Sequence, residues 1–246
     1  MKDNVTEILD RLVENHPALE CCRESILAAI ELICQAFESR GTLFTVGNGG
    51  SSADADHISG EMLKGFLRRR PLPEKAAECL KSIDPMDGEL LAARLQEGLP
   101  CIPLGAFSSL LSAARNDLDG QLDYAQVLNA LGRPGDVLIA ISTSGNSRNV
   151  HLAVSVARSK NIKVVGLTGI GGGRLSDEAC RRVCRGLCHI SRLPCLPAVV
   201  SNRRDHGFHH SRICVGCLRG PSLREAEGRR SQELKKRAST AAQMAW

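Results

Sequence analysis

The sequence predicts an α/β fold built on a doubly wound parallel sheet with helices on both faces. Short apolar runs such as "VLIAIS" (Val137 to Ser142) and "KVVGLTG" (from Lys163) lack polar alternation, as strands buried on both faces of a parallel sheet do. Helical periodicity recurs between such runs at crossover spacing. Glycine- and serine-rich segments follow two of the strands, where a doubly wound sheet holds its ligands.

Taken in order, residues 4 to 39 read as helical, with Val5, Ile8, Leu9 and Leu12 at i, i+3, i+4 and i+7 and a second helix from about Leu19. Thr42 to Val46 is a β-prone run that stops at glycine, and Ser52 to Phe66 returns to a helical pattern. "RRRPLPEK" is a charged, proline-marked break. It opens an insertion over residues 68–99 with one short helix near Gly88 to Gln96. "CIPLGA" from Cys101 reads as a strand, Ser108 to Arg115 and Leu122 to Leu131 as helices, and "RPGD" as a turn. The strand Val137 to Ser142, the helix Asn149 to Ser159 and the strand from Lys163 complete the alternation. The expected organisation is N-terminal helices over 1–40, a ligand-binding domain over 41–179, and a tail over 180–246. After Asp177 no helical or strand period remains.

Composition narrows the function. The chain has 246 residues, 43% of them hydrophobic, enough for a buried core. Aromatic content of 3% argues against base-stacking platforms for nucleic acid. No apolar run reaches the roughly 18 residues of a membrane span, and "MKDNVTEILD" places charges where a signal peptide needs its apolar stretch. The expected location is cytoplasmic. Charge is divided: residues 180–246 carry 14 Lys+Arg against 4 Asp+Glu, a net +10, which leaves −5 on residues 1–179 of a chain totalling +5. Six of the 11 cysteines also fall in that tail.

Three stretches carry chemistry. "STSGNS", Ser142 to Ser147, packs hydroxyls and a glycine between a buried strand and a helix start, an arrangement that aims hydroxyls and backbone N–H groups at a phosphate. It has no Walker-type lysine, so triphosphate hydrolysis is a poor reading; a plain polar turn with an N-cap is the simpler alternative. "GNGGSSADAD" is the second such loop, with Gly49 and Gly50 permitting close approach of a ligand and Ser51 or Ser52 placed to donate to it. His57 and Glu61 follow at i, i+4 on one helix face, either as a solvated pair or as groups sharing a metal or a substrate proton.

With these residues in hand, "VGNGGSSADADHISGE", "GRPGDVLIAISTSGNSRNV" and "KVVGLTGIGGGRL" resemble the sugar isomerase (SIS) domain family, and within it the phosphoheptose isomerase branch, over roughly Val5 to Asp177. The resemblance implies a flavodoxin-like sheet of five parallel strands, a phosphorylated sugar bound at the strand ends, and a homo-oligomer, usually a tetramer. It assigns the phosphate and sugar hydroxyls to Asn48, Gly49, Gly50, Ser51, Ser142, Thr143, Ser144 and Ser147, and through "ARND" it puts Asn116 and Asp117 near the sugar. It makes His57 and Glu61 zinc ligands and gives Glu61 the proton transfer of a ketose–aldose isomerisation through an enediol. The sequence departs from the branch in two places. Gly171 stands where the branch carries an acidic residue, and no segment after Asp177 reproduces the helix that supplies a glutamine and a catalytic histidine. The zinc site is therefore expected to be incomplete. The resemblance leaves two functions open: sedoheptulose 7-phosphate isomerase, or a non-enzymatic phosphosugar-binding regulator or partner of a replication initiator.

Three readings of the tail stand side by side. Cys214 and Cys217, with His206, His209, His210 or Cys188, have the makings of a metal module. The +10 charge suits nucleic acid. A shifted reading frame is the third: "CRRVC" has codons that read Ala-Asp-Val-Cys one base later, a sequence suited to a last strand.

Overall fold

The structure, a computed structural model, describes residues 2–65, 69–169 and 171–178, together with the backbone of 183–185, 199–202 and 211–214. By its internal contacts the chain divides into two units, Met1–Gly216 and Cys217–Trp246, and the second lies outside the described residues. So do the other members of the cysteine–histidine module (Cys188, His206, His209, His210 and Cys217) and most of the basic tail; of Cys214 only the backbone is described.

In chain order the elements are α1 (Lys2–Asn15), α2 (Arg23–Glu38), β1 (Leu43–Val46), α3 (Gly50–Leu63), α4 (Glu74–Ile83), α5 (Gly88–Arg94), β2 (Cys101–Pro103), α6 (Ser108–Asp117), α7 (Asp123–Leu131), β3 (Val137–Ser142), α8 (Arg148–Ser159), β4 (Lys163–Thr168), α9 (Leu175–Glu178), β5 (Val183–Arg185), β6 (Val199–Asn202) and β7 (Ser211–Cys214). The main sheet runs β2-β1-β3-β4-β5 with every pairing parallel. This is the flavodoxin-like order, in which the strand sequence reverses between β1 and β3.

Alternation along the strands builds two cores. Leu43 on β1 and Val137, Ile139 and Ile141 on β3 face α2 and α3, where they meet Ile33, Phe37, Ala55 and Met62. Phe44, Val46, Leu138 and Ala140 face the opposite way and pack on Val127 and Leu128 of α7 and Val150, Ala153 and Val154 of α8. Each strand thus buries both faces, which explains its uninterrupted apolar sequence. Asp136 joins the starts of β1 and β3: its carboxylate accepts the Thr42 and Arg133 backbone N–H groups, each at 2.7 Å, after a turn in which Gly135 takes φ +96°.

Several boundaries differ from the sequence expectation. The N-terminal region is two helices separated by a 3₁₀ segment, Pro17–Cys22, with the proline at its first turn. Leu9, Leu12 and Leu19 bury together against Ile26 and Leu167. Within 68–99 the structure has two helices rather than one. The unexpected α4 carries Ala76, Cys79, Leu80 and Ile83 at i, i+3, i+4 and i+7, a helical stripe legible in the sequence, although none of its residues is buried. Arg70, within the charged "RRRP" break, is buried, 4% exposed. After Asp177, where no period is legible, Val183–Arg185 takes the fifth-strand position in the chain's own reading frame, and β6 and β7 form an antiparallel pair.

Candidate functional site

The two glycine–serine loops leave the carboxyl ends of β1 and β3, the neighbouring strands between which the order reverses. That crevice is where an open α/β sheet binds its ligand.

The first loop, Gly47 to Ser52, turns from β1 into α3 at Gly49, whose φ of +54° is a conformation that favours glycine. A Cβ on Gly47 would lie 2.5 Å from the Ser51 carbonyl oxygen, so the tight start of the loop also requires glycine. At Gly49 and Gly50 an added Cβ would meet nothing within 4 Å; these two present bare backbone outward. Tyr124, buried in the opposite core, donates its hydroxyl to the Gly47 carbonyl at 2.9 Å. Burial raises the phenol pKa and keeps that donor protonated.

In the second loop the Ser142 and Ser147 hydroxyls share a hydrogen bond of 3.0 Å across the turn, the Asn146 N–H donates to Ser144 Oγ at 3.2 Å, and Thr143 and Ser144 are exposed. Backbone braces it from below. Gly145 takes φ +65°, its carbonyl accepts the Leu175 N–H at 3.0 Å, and the buried His151 ring nitrogen lies 2.9 Å from the same oxygen. Asn146 Oδ1 accepts the Arg174 N–H at 3.1 Å, and Thr143 O accepts the Gly169 N–H at 3.0 Å. A Cβ on Gly171 would meet nothing within 4 Å, so packing does not impose the glycine that replaces the expected acid.

The structure brings the two loops together through side chains. Asn48 Nδ2 donates to Asn149 Oδ1 at 2.8 Å, and Asn149 Nδ2 donates back to Asn48 Oδ1 at 3.0 Å. Asn149 is absent from the sequence-derived set, because an asparagine at a helix start reads simply as a helix-terminal residue.

His57 and Glu61 lie on α3 as the i, i+4 spacing requires, with Nε2 3.3 Å from Oε1. A buried polar strip sets the attitude of α3: the Thr45 hydroxyl bonds to Ala55 O at 3.0 Å and to Ser59 Oγ at 2.9 Å, and Cys101 Sγ reaches Ser59 Oγ at 3.3 Å. From Ser51 to Glu61 the helix rises about 15 Å, so the phosphate-type loops and the acid–base pair occupy opposite ends of an elongated site. Glu61 is 12% exposed, and its Oε2 is buried without a hydrogen-bond partner. Asp54, one turn before His57, shares this helix face. Burial pushes its carboxyl pKa up, and His57 opposes that shift. Behind α3, Arg70 Nη2 donates to Met62 O at 2.6 Å and approaches Glu61 O at 3.4 Å. Burial lowers the guanidinium pKa, against the opposing pull of Glu97 and Glu61.

Asn116 and Asp117 close α6, are exposed, and bond to each other at 2.8 Å; among the described residues they make no hydrogen bond to either loop. The preceding Arg115 grips the buried Asp123 through Nε at 3.0 Å and Nη2 at 2.7 Å, which fixes the end of α6 to α7. His57 and Glu61 supply two of the four donors of a tetrahedral zinc site. Among the described residues no group of three or more His, Cys, Asp and Glu side chains converges. The described residues therefore do not by themselves fit zinc.

A flavodoxin-like sheet with two hydroxyl-lined, glycine-turned loops at its switch point is the architecture of the sugar isomerase class. Residues 86–169 match the family model described as the SIS domain. The phosphoheptose isomerase of Rhodospirillum rubrum is 33% identical over 186 residues, 74% of this chain and 85% of that protein. That of Methylibium petroleiphilum is 37% identical over 158 residues, 64% of this chain and 66% of that protein. The solved phosphoheptose isomerase GmhA from Neisseria gonorrhoeae superposes with a TM-score of 0.53 at 28% identity, covering 75% of this chain and 82% of that one. The chain belongs to the phosphoheptose isomerase family of SIS-domain proteins.

Proposed function

We propose that the chain binds a seven-carbon ketose phosphate across the carboxyl ends of β1 and β3 and interconverts it with the corresponding aldose, the sedoheptulose 7-phosphate isomerase reaction. The observation that carries this is the elongated site, with hydroxyl and backbone donors at one end and a half-buried carboxylate with an adjacent imidazole at the other. Asn48, Gly49, Gly50, Ser51, Ser142, Thr143, Ser144 and Ser147 hold the phosphate and nearby hydroxyls, and Asn116 and Asp117 approach the sugar.

Isomerisation removes a proton from C1 of the ketose. The electron pair left behind forms the C1=C2 bond of the enediol as the C2 oxygen gains a proton. Collapse returns a proton to C2 while the C1 oxygen gives up its own, leaving an aldehyde. In this reading Glu61 moves the carbon-bound proton, and its buried, unpartnered Oε2 is a strong local acceptor. His57, 3.3 Å away, serves the oxygens. The pair is sparse for two simultaneous transfers, which supports a second reading: a phosphosugar-binding module with little turnover. Among the described residues no helix is long and apolar enough to cross a membrane, and the reading adopts a cytoplasmic, homo-oligomeric protein.

Turnover of sedoheptulose 7-phosphate by the full chain, with and without added zinc, decides between the two. Loss of activity in Glu61→Gln with unchanged phosphosugar affinity supports the isomerase. Tight binding with background turnover in the unaltered chain supports the module, and absence of both binding and turnover overturns both readings.

A further inference from the structure

Asn48 and Asn149 are 101 positions apart and are joined by both of their amides. Asn48 lies in the loop between β1 and α3, whereas Asn149 is the second residue of α8. A reciprocal pair alone does not fix which way the amides face, since turning both over preserves both bonds. Here the degeneracy is broken, because Asn149 Oδ1 also accepts the Val150 backbone N–H at 3.0 Å. That N–H belongs to the first turn of α8, where N–H groups have no intrahelical acceptor, and it demands an oxygen. The Asn149 amide is thus oriented by the helix, and the Asn48 amide by Asn149. Asn48 is left with one N–H and one carbonyl lone pair, in a determined order, at the mouth of the crevice where it is exposed.

We propose that Asn149 is a positioning residue: through its amide pair with Asn48 it latches the β1 loop to the β3 helix and fixes which polar atoms of Asn48 face the sugar. The proposal rests on the phosphosugar-binding reading above. The latch lies beside the serine-rich loop rather than within it. It therefore governs recognition of the sugar hydroxyls and leaves the phosphate grip of Ser142, Ser144 and Ser147 intact.

The test is calorimetric titration of the full chain with sedoheptulose 7-phosphate and, separately, with inorganic phosphate. Asn149→Ala is expected to weaken phosphosugar affinity about tenfold, the order expected for one lost hydrogen bond in a polar site. Affinity for inorganic phosphate stays unchanged. Asn48→Ala gives a similar loss, and the double variant is no worse than Asn48→Ala alone, because both changes break one unit. Asn149→Ser, which retains an oxygen near the Val150 N–H but does not reach Asn48, behaves like Asn149→Ala and guards against simple fraying of α8. Equal loss of phosphate and phosphosugar affinity, additive effects, or unchanged phosphosugar affinity each overturn the proposal. A second arm needs no ligand: the Asn48 side-chain amide resonances in an ¹⁵N-labelled sample shift on Asn149→Ser. If the unaltered chain binds no phosphosugar, the binding reading fails, and this arm decides whether the latch exists; resonances that do not move dismiss it.

Discussion

Gly145 and Gly172 are in backbone contact: a Cβ placed on Gly145 would fall on the Gly172 carbonyl oxygen, and one on Gly173 would fall on that of Ser144. The loop after β4 is therefore a floor for the serine-rich loop after β3. The glycines of "TGIGGG" serve two purposes, close approach at Gly169 and a left-handed turn at Gly172 and Gly173.

Gly145→Ala is expected to be costly for two additive reasons, a φ of +65° and a collision with fixed backbone. Each such strain contributes on the order of 1–3 kcal/mol. Thermal unfolding should show a clear fall in Tm, and phosphosugar affinity should fall with it because the loop cannot keep its turn. Gly171→Asp, at a position with open space, should leave Tm nearly unchanged.

Heptose and hexose phosphates should raise Tm, whereas the unphosphorylated sugars should not, because ligand that binds only the folded state stabilises it in proportion to ln(1 + [L]/Kd). Ser51→Ala combined with Ser144→Ala should abolish the shift. Equal stabilisation by both classes of sugar would remove phosphate as the recognised group. Ser142 and Ser147 already share a hydrogen bond, so changing either one also disturbs the other, and they are poorer first targets.

Much of this site is legible in the sequence, for a definite reason. Loops such as "GNGGSS" and "STSGNS" combine turn glycines with hydroxyls, and their strands bury both faces, so local composition and position coincide. Glu61 and His57 are legible as a pair because helical spacing alone places them together. What the sequence conceals is whatever depends on long-range contact. Asn149 and Tyr124 reach their partners across the fold, and an asparagine and a tyrosine carry no local mark of that. Arg70 is concealed as well: the run of arginines before proline reads only as a charged break, yet the fold buries Arg70 against the end of α3. The helix α4 is not concealed in this way: Ala76, Cys79, Leu80 and Ile83 mark it at helical spacing, and the proline-marked break before it draws the reading toward a loop instead.

Stability should fall at alkaline pH in part through Cys101. Burial raises its thiol pKa from 9.0 to about 12, with the Ser59 hydrogen bond acting in the opposite sense. Once the pH passes about 9 the unfolded chain releases a proton that the folded chain retains. The contribution is thus fully present below about 9 and is lost as pH rises toward about 12. Tm measured from pH 8 to 11 should decline less steeply in Cys101→Ala than in the unaltered chain, even though the variant starts from a lower Tm because of the lost packing. Parallel curves would show that Cys101 is not the group responsible.

Arg70 provides the sharpest test of how α3 is held. Its guanidinium is anchored to Met62 O, while Nε and Nη1 are buried without partners. The cation therefore bears a desolvation cost, visible in its lowered pKa, that Glu97, Glu61 and the carbonyl at the end of α3 offset only in part. Arg70→Ala removes both the hydrogen bond and the packed stem, and is expected to cost about 2–3 kcal/mol. Arg70→Met keeps much of the stem's volume and removes the buried charge, so it should cost clearly less and be close to neutral. Chemical denaturation of the two variants gives the comparison directly. If Arg70→Met is as damaging as Arg70→Ala, the charge itself is needed, and Glu97 and Glu61, whose carboxylates draw the guanidinium pKa upward, are the groups that need it. Glu97→Gln or Glu61→Gln in the Arg70→Met background would then recover part of the lost stability, because a neutral amide does not require a buried counter-charge.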